Sequence, residues 1–269
     1  MKTAIYIPSH KREEQCRKLV NQIRSIDNKI PIYIFINEGQ KYNIEDCIVV
    51  YIDKNSRVGR VRYECTIHAK ENNYTHILML DDDVSVGKNV LDLFKNFENN
   101  KELFSCAAMY KNDFFFSYKI NSGLRYVLSQ GVLCWVFDVD KCIELGNFDK
   151  NLIFFEDQDL QLRAMKYGYY KAVDTSVLFD VKLEGGDKNK KNGGCSSYNY
   201  FEDNKKTIEY LLLKYNNNIY FRRKKSGIFQ IDYNKMYKHN IFSKLDFTKK
   251  EFDYKIWNNT SKRKSLFED

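Results

Sequence analysis

The first eighty residues alternate short runs of β-branched and aromatic side chains with amphipathic stretches, and that alternation restricts the fold more than any other feature. Residues 3–7 form one such run, ended by Pro8 and Ser9. In residues 11–25 the apolar Cys16, Leu19, Val20 and Ile23 fall at the spacing of one helix face. Residues 32–36 and 47–52 read as two more strands, 58–72 as a second helix, and 77–80 as a fourth strand. Such βαβ alternation predicts an α/β fold, a mainly parallel sheet with helices on both faces. Ligands of open α/β sheets bind beyond the carboxyl ends of the strands. Ser9, Glu38 and the run Asp81-Asp82-Asp83 all fall at such ends.

The rest of the chain reads less evenly. Residues 90–97, 139–145, 157–167 and 201–215 have helical patterns, and 104–109, 131–137 and 171–180 read as strands. Gly146 and Gly168 stand where two of these helices should stop. Residues 184–197 hold four Gly with several Lys and Asn, the composition of a loop. With Lys188, Lys190 and Lys191 the segment suits either a lid over a diphosphate or a plain surface loop.

Two acidic motifs carry the chemistry. An apolar strand, Ile77-Leu78-Met79-Leu80, delivers three consecutive carboxylates. Like charges this close repel and lose hydration, a cost that a bound cation removes. Mg²⁺ and Mn²⁺ suit such a site, because they take oxygen ligands and usually combine one or two carboxylates with substrate phosphates. A solvated acidic turn gives the same three letters. Further on, Phe155-Glu156-Asp157-Gln158-Asp159 opens a helix that continues to Arg163. Acidic residues favour helix N-termini through the helix dipole alone. In a catalytic reading, one of these carboxylates is the general base for an acceptor hydroxyl.

Taken in order, the motifs resemble the GT-A glycosyltransferases, in particular the broad family-2-like group. The resemblance rests on Ile7-Pro8-Ser9, Asn37-Glu38-Gly39, Val58-Gly59-Arg60-Val61-Arg62, Leu80-Asp81-Asp82-Asp83, Leu145-Gly146-Asn147-Phe148-Asp149, and the stretch from Glu156 to Arg163 with Gly168-Tyr169. It spans roughly residues 3–180. It implies a metal-dependent transfer of a sugar from a nucleotide-diphosphate sugar, UDP-sugars favoured, to a hydroxyl acceptor. It also implies roles. Pro8, Ser9 and Glu38 would line the base and ribose pocket, and Arg60 would approach the base or diphosphate. Asp81 and Asp83 would hold Mn²⁺ or Mg²⁺ and the ribose side, with Asp82 beside them. Asp157 would be the base, with Glu156 its rival. Many relatives place a metal-binding His after the last core strand; here Leu178-Phe179-Asp180-Val181 has no His, so either Asp180 substitutes or the third ligand is missing.

Charge divides the chain. From residue 205 onward 16 Lys and Arg face 7 Asp and Glu, within a whole-chain charge of +8. The basic runs, Arg222-Arg223-Lys224-Lys225 foremost, are interleaved with aromatics such as Tyr220, Phe229 and Trp257. Basic residues neutralise phosphates and aromatic faces stack on bases. This pattern is similar to that of phage DNA glycosyltransferases acting on hydroxymethylated pyrimidines, including those associated with TET-type oxygenases. The expected organisation is therefore a catalytic domain over residues 1–200 and a basic acceptor-binding appendage over 201–269, with double-stranded DNA the favoured acceptor. Two other readings stay open. One is transfer to a surface glycan, lipid or protein, the basic region lying against an anionic membrane. The other is a non-enzymatic nucleic-acid-binding protein. No apolar run approaches the roughly 20 residues of a membrane span, and residues 1–9 lack a signal-peptide pattern, so a cytoplasmic protein is expected. The seven Cys include no C-x-x-C pair, which argues for buried thiols over disulfides or zinc.

Overall fold

The computed structural model describes residues 1–37, 41–53, 57–98, 100–110, 123–126, 132–181, 200–216, 219–223 and 229–231. The elements run β1 (Thr3–Ser9), α1 (Glu13–Arg24), β2 (Ile32–Asn37), β3 (Ile48–Ile52), α2 (Val58–Glu71), β4 (His76–Leu80) and β5 (Val84–Val86). A 3-10 helix (Val90–Phe97), β6 (Leu103–Tyr110), β7 (Leu124–Tyr126), β8 (Cys134–Asp138), α3 (Val139–Glu144), α4 (Glu156–Lys166) and β9 (Tyr170–Val181) follow. The described chain closes with α5 (Tyr200–Lys214), β10 (Phe221–Arg223) and β11 (Phe229–Ile231).

Nine strands form one sheet in the order β3-β2-β1-β4-β8-β6-β9-β5, with β7 also on β9. Strands β1, β2, β3, β4, β6 and β9 run one way, and β5, β7 and β8 run against them. The mainly parallel sheet read from the alternation is thus present, with β8 inserted in the opposite sense at its centre. Because β8 is reversed, its first residue, Cys134, lies opposite Leu80. The Leu133 carbonyl accepts from Asp81 N at 2.9 Å and pins the start of the acidic run.

Period-2 alternation sorts the strand side chains onto two faces. Ile5 and Ile7, Ile32, Ile34 and Ile36, and Leu78 and Leu80 pack with Cys16, Leu19, Val20 and Ile23 of α1. Ala4 and Tyr6, Tyr33 and Phe35, and Ile77 and Met79 pack on the other face with Val61, Cys65 and Ala69 of α2 and Leu160 and Ala164 of α4. A third cluster joins α4 to the C-terminal elements, with Leu152, Phe155, Leu162 and Met165 against Leu211, Ile219 and Ile231.

Gly59 sets how closely α2 approaches the segment leading into α4. A Cβ there would lie 2.6 Å from both the Asp149 and Leu152 carbonyl oxygens. Gly59→Ala is therefore expected to displace that segment and cost about 1–3 kcal/mol. Urea unfolding tests this, and an unchanged midpoint would contradict the close approach.

Candidate active site at the carboxyl edge of the sheet

The carboxyl ends of β1 and β4 lie side by side, and two arginines, Arg62 buried and Arg12 half-buried, organise the carboxylates there. On the α1 side, Arg12 Nη1 donates to Asp82 Oδ1 at 2.7 Å and to Asp83 Oδ2 at 2.9 Å. Ser9 Oγ donates to Asp82 Oδ2 at 2.8 Å. On the α2 side, Arg62 Nη2 donates to Asp81 Oδ1 at 3.0 Å and Nη1 to Glu156 Oε1 at 2.7 Å. Arg62 is 4% exposed, and its Nε has no partner among the described residues. It therefore joins the end of β4 to the first residue of α4, 94 positions away in sequence.

Within the acidic run the three side chains differ. Asp82 is buried and both its oxygens are taken. Asp81 and Asp83 are about a quarter exposed (25% and 26%), and each has one oxygen tied to an arginine. Asp81 Oδ2 and Asp83 Oδ1 have no partner among the described residues. Burial, reinforced by Asp83 and Asp82 against the pull of Arg62, raises the Asp81 pKa to about 6. Two partly exposed oxygens on crowded, costly carboxylates suit a hard divalent cation. Among the described residues no three His, Cys, Asp or Glu side chains converge as a complete metal cage. The fit is therefore to a cation that shares its coordination with a ligand's oxygens.

Helix α4 begins abruptly. Phe155 before it takes the left-handed conformation, φ 64°, and no side chain caps the helix. Burial drives the Glu156 carboxyl up to about 8; Arg62 opposes the shift, while Asp157 and Asp81 add to it. Asp157 is also raised, again chiefly by burial. A carboxyl with a higher pKa folded than unfolded stabilises the fold in its protonated form. For Glu156 that contribution is whole below its ordinary 4.5 and lost as pH rises through about 8. Glu156→Gln is expected to flatten the decline in stability over that window. An unchanged slope in unfolding midpoints against pH would contradict this.

The remaining sequence-derived residues fall as follows. Pro8 is half-buried at the end of β1, opposite Phe35. Ser9 is 5% exposed, and its hydroxyl is engaged by Asp82, Tyr42 and Cys16. Arg60 is not gathered into the site; it pairs with Glu64 at 2.6 Å on an exposed part of α2. Asp180 lies on β9 opposite Ser85 of β5, with its Oδ1 accepting from Val181 N. Glu38, Lys224, Lys225 and the Lys188–Lys191 lid segment lie outside the described residues. Arg222 and Arg223 are placed by backbone only, on β10. Sequence reasoning missed Arg12 and the role of Arg62. The available signal was the basic His10-Lys11-Arg12 run directly after the first strand.

No protein-family model matches the sequence, and no curated protein matches it. Solved structures do match its shape. Staphylococcus aureus TarS residues 1–349, in complex with UDP-GlcNAc, superposes with a TM-score of 0.58 at 14% identity, covering 97% of this chain and 79% of that one. The longer S. aureus TarS structure gives 0.56 at 13%, covering 97% and 48%. GalNAc-T7 with UDP, GalNAc and Mn²⁺ gives 0.55 at 10%, covering 69% and 45%. The chain has the GT-A fold. It spans just under half the length of GalNAc-T7 and of the longer TarS. Within this fold the arginine-braced carboxylates occupy the carboxyl edge of the sheet. No helix among the described residues is long and apolar enough to cross a membrane.

Proposed function

We propose that the protein is a metal-dependent glycosyltransferase, moving a hexosyl or pentosyl group from a nucleotide-diphosphate sugar to an acceptor hydroxyl. The observation that carries this reading is Arg62, which holds Asp81 and Glu156 together at the ligand-binding edge of a GT-A sheet. Asp81 and Asp83 would hold the divalent cation, and with donor diphosphate oxygens sharing its coordination Asp180 would not be required as a ligand. Mn²⁺ or Mg²⁺, when bound, neutralises charge developing on the departing nucleoside diphosphate. Asp82 with Ser9 and Arg12 fixes the turn that presents those two carboxylates. On the family resemblance, Pro8 and Glu38 would line the nucleoside side of the pocket.

Asp157 is the base. Glu156 is spoken for by Arg62, which leaves Asp157 as the neighbouring carboxylate for the acceptor proton. In the transfer a bond forms between the acceptor oxygen and the anomeric carbon. The anomeric bond to the diphosphate breaks, the nucleoside diphosphate leaves with the electron pair, and the acceptor proton passes to Asp157. Water must be kept out meanwhile, or the donor is hydrolysed.

The acceptor reading rests on charge. The surplus of Lys and Arg after residue 205 favours a polyanion, with a hydroxymethylated base in double-stranded DNA the acceptor we favour. Residues 201–269 would form its binding appendage. Purified protein, Mn²⁺ and a panel of nucleotide sugars should release nucleoside diphosphate, and a donor-dependent mass gain should appear on hydroxymethylated DNA. Release without DNA modification, but with modification of a glycan, lipid or protein, would replace the acceptor and keep the enzyme. No release with any donor would remove the enzyme reading and leave a nucleic-acid-binding protein.

A further inference from the structure

We propose that Lys214, at the end of α5, is a positioning residue that clamps the loop–helix junction carrying Glu156 and Asp157; the inference rests on the glycosyl transfer proposed above. Lys214 Nζ lies 2.7 Å from Asp149 Oδ2 and 2.9 Å from Asp159 Oδ1. Those two aspartates bracket the junction, one in the loop before α4 and the other in its first turn. Between them sit the left-handed Phe155, Glu156 and Asp157. At the helix start Arg62 ties Glu156 to the end of β4, but no side chain caps α4.

The clamp is built from several elements. Asp159 is fully buried, and its Oδ2 takes Arg163 Nη2 at 2.6 Å. That pair lies within α4, so it neutralises Asp159 without joining it to Asp149. Oδ1 takes Lys214 and the Tyr215 hydroxyl, the latter at 2.8 Å. Asp149 Oδ2 also takes the Tyr210 hydroxyl at 2.8 Å. Burial would raise the Asp149 carboxyl, yet the Lys214 and Tyr210 bonds outweigh it and hold it below its ordinary value. The segment after α5 leans on the same helix. Ile231 N donates to Gln158 Oε1 at 3.2 Å, and the Phe221 ring lies 5.8 Å from that of Phe155. Among the described residues Lys214 is the one cation bonded to both bracketing carboxylates, so α5 acts as a strut fixing where α4 begins. A 1 Å shift in the position of a catalytic group is enough to slow turnover about 10²-fold.

The test combines steady-state kinetics with amide hydrogen exchange on full-length Lys214→Met, Lys214→Arg and Tyr215→Phe. Lys214→Met should lower kcat by on the order of 10²-fold while donor KM stays within about twofold. Exchange should rise at residues 156–160 and stay unchanged in β1 and β4. Lys214→Arg should recover most of kcat, which a merely destabilising substitution would not explain. If Lys214→Met does not fold, Tyr215→Phe, which removes one hydroxyl, should show the same exchange pattern and a smaller kcat loss. Wild-type kcat and exchange in the folded variants would overturn the proposal, as would a fall in kcat matched by a rise in donor KM. Exchange needs no turnover. A wild type inactive on every donor, with α4 loosened in Lys214→Met, would therefore uphold the clamp and sink only the activity reading.

Discussion

Arg62→Met is expected to cost about 3–5 kcal/mol of folding stability, because it leaves the Asp81 carboxylate without its cation and the buried Glu156 carboxyl without its donor. Arg62 is 4% exposed and donates to both Asp81 and Glu156. Met fills similar volume but donates nothing, so the Asp81 carboxylate loses the attraction that opposes its desolvation, and the Glu156 carboxyl loses a hydrogen bond. The deficit should shrink as pH falls and Asp81 takes up its proton, which without Arg62 happens at a pH above the wild-type value of about 6. Urea unfolding of wild type and variant at two pH values measures it. A loss under about 1 kcal/mol at neutral pH would mean that the ion pairs are solvent-screened and that Arg62 does not hold the site.

Asp83→Ala is expected to slow transfer by on the order of 10³-fold, the several kcal/mol that a bound cation contributes to the transition state. The fold should survive. Asp83 is partly exposed, and its arginine partner, Arg12, keeps the shorter bond to Asp82. Removing one of three crowded carboxylates also relieves repulsion, so the unfolding midpoint should hold or rise slightly. Full activity in the variant would remove Asp83 from the cation site.

Much of this was legible in the sequence because strand alternation and helix spacing are local patterns. Ile5 and Ile7 against Ala4 and Tyr6 already sort the two faces of β1, and Cys16, Leu19, Val20 and Ile23 mark the buried side of α1. The three-residue strands β5 and β7 were not legible, since so short a run carries no period. The segment 131–137 reads as a strand, but its reversal between β4 and β6 is a matter of pairing, which no local pattern encodes. The arginines were missed for a related reason: an Arg in a helix ordinarily marks a solvated face. Arg60 and Arg62 are two positions apart on α2, so they point to nearly opposite sides. Arg60 meets Glu64 at the surface, while Arg62 turns into the sheet edge. Nothing in the letters alone distinguishes the two. The clamp on α4 was hidden likewise, because Lys214 lies more than fifty residues from either of its aspartates.

The central claim is that Asp81 and Asp83 recruit a divalent cation that shares a nucleoside diphosphate with the protein. Calorimetric titration of UDP into the wild type and Asp83→Ala, each with Mn²⁺ and with a chelator, tests it most directly. Strong Mn²⁺-dependent binding by the wild type, lost in the variant, is the predicted result. UDP binding that is equally strong with and without Mn²⁺, or unchanged in Asp83→Ala, would contradict it.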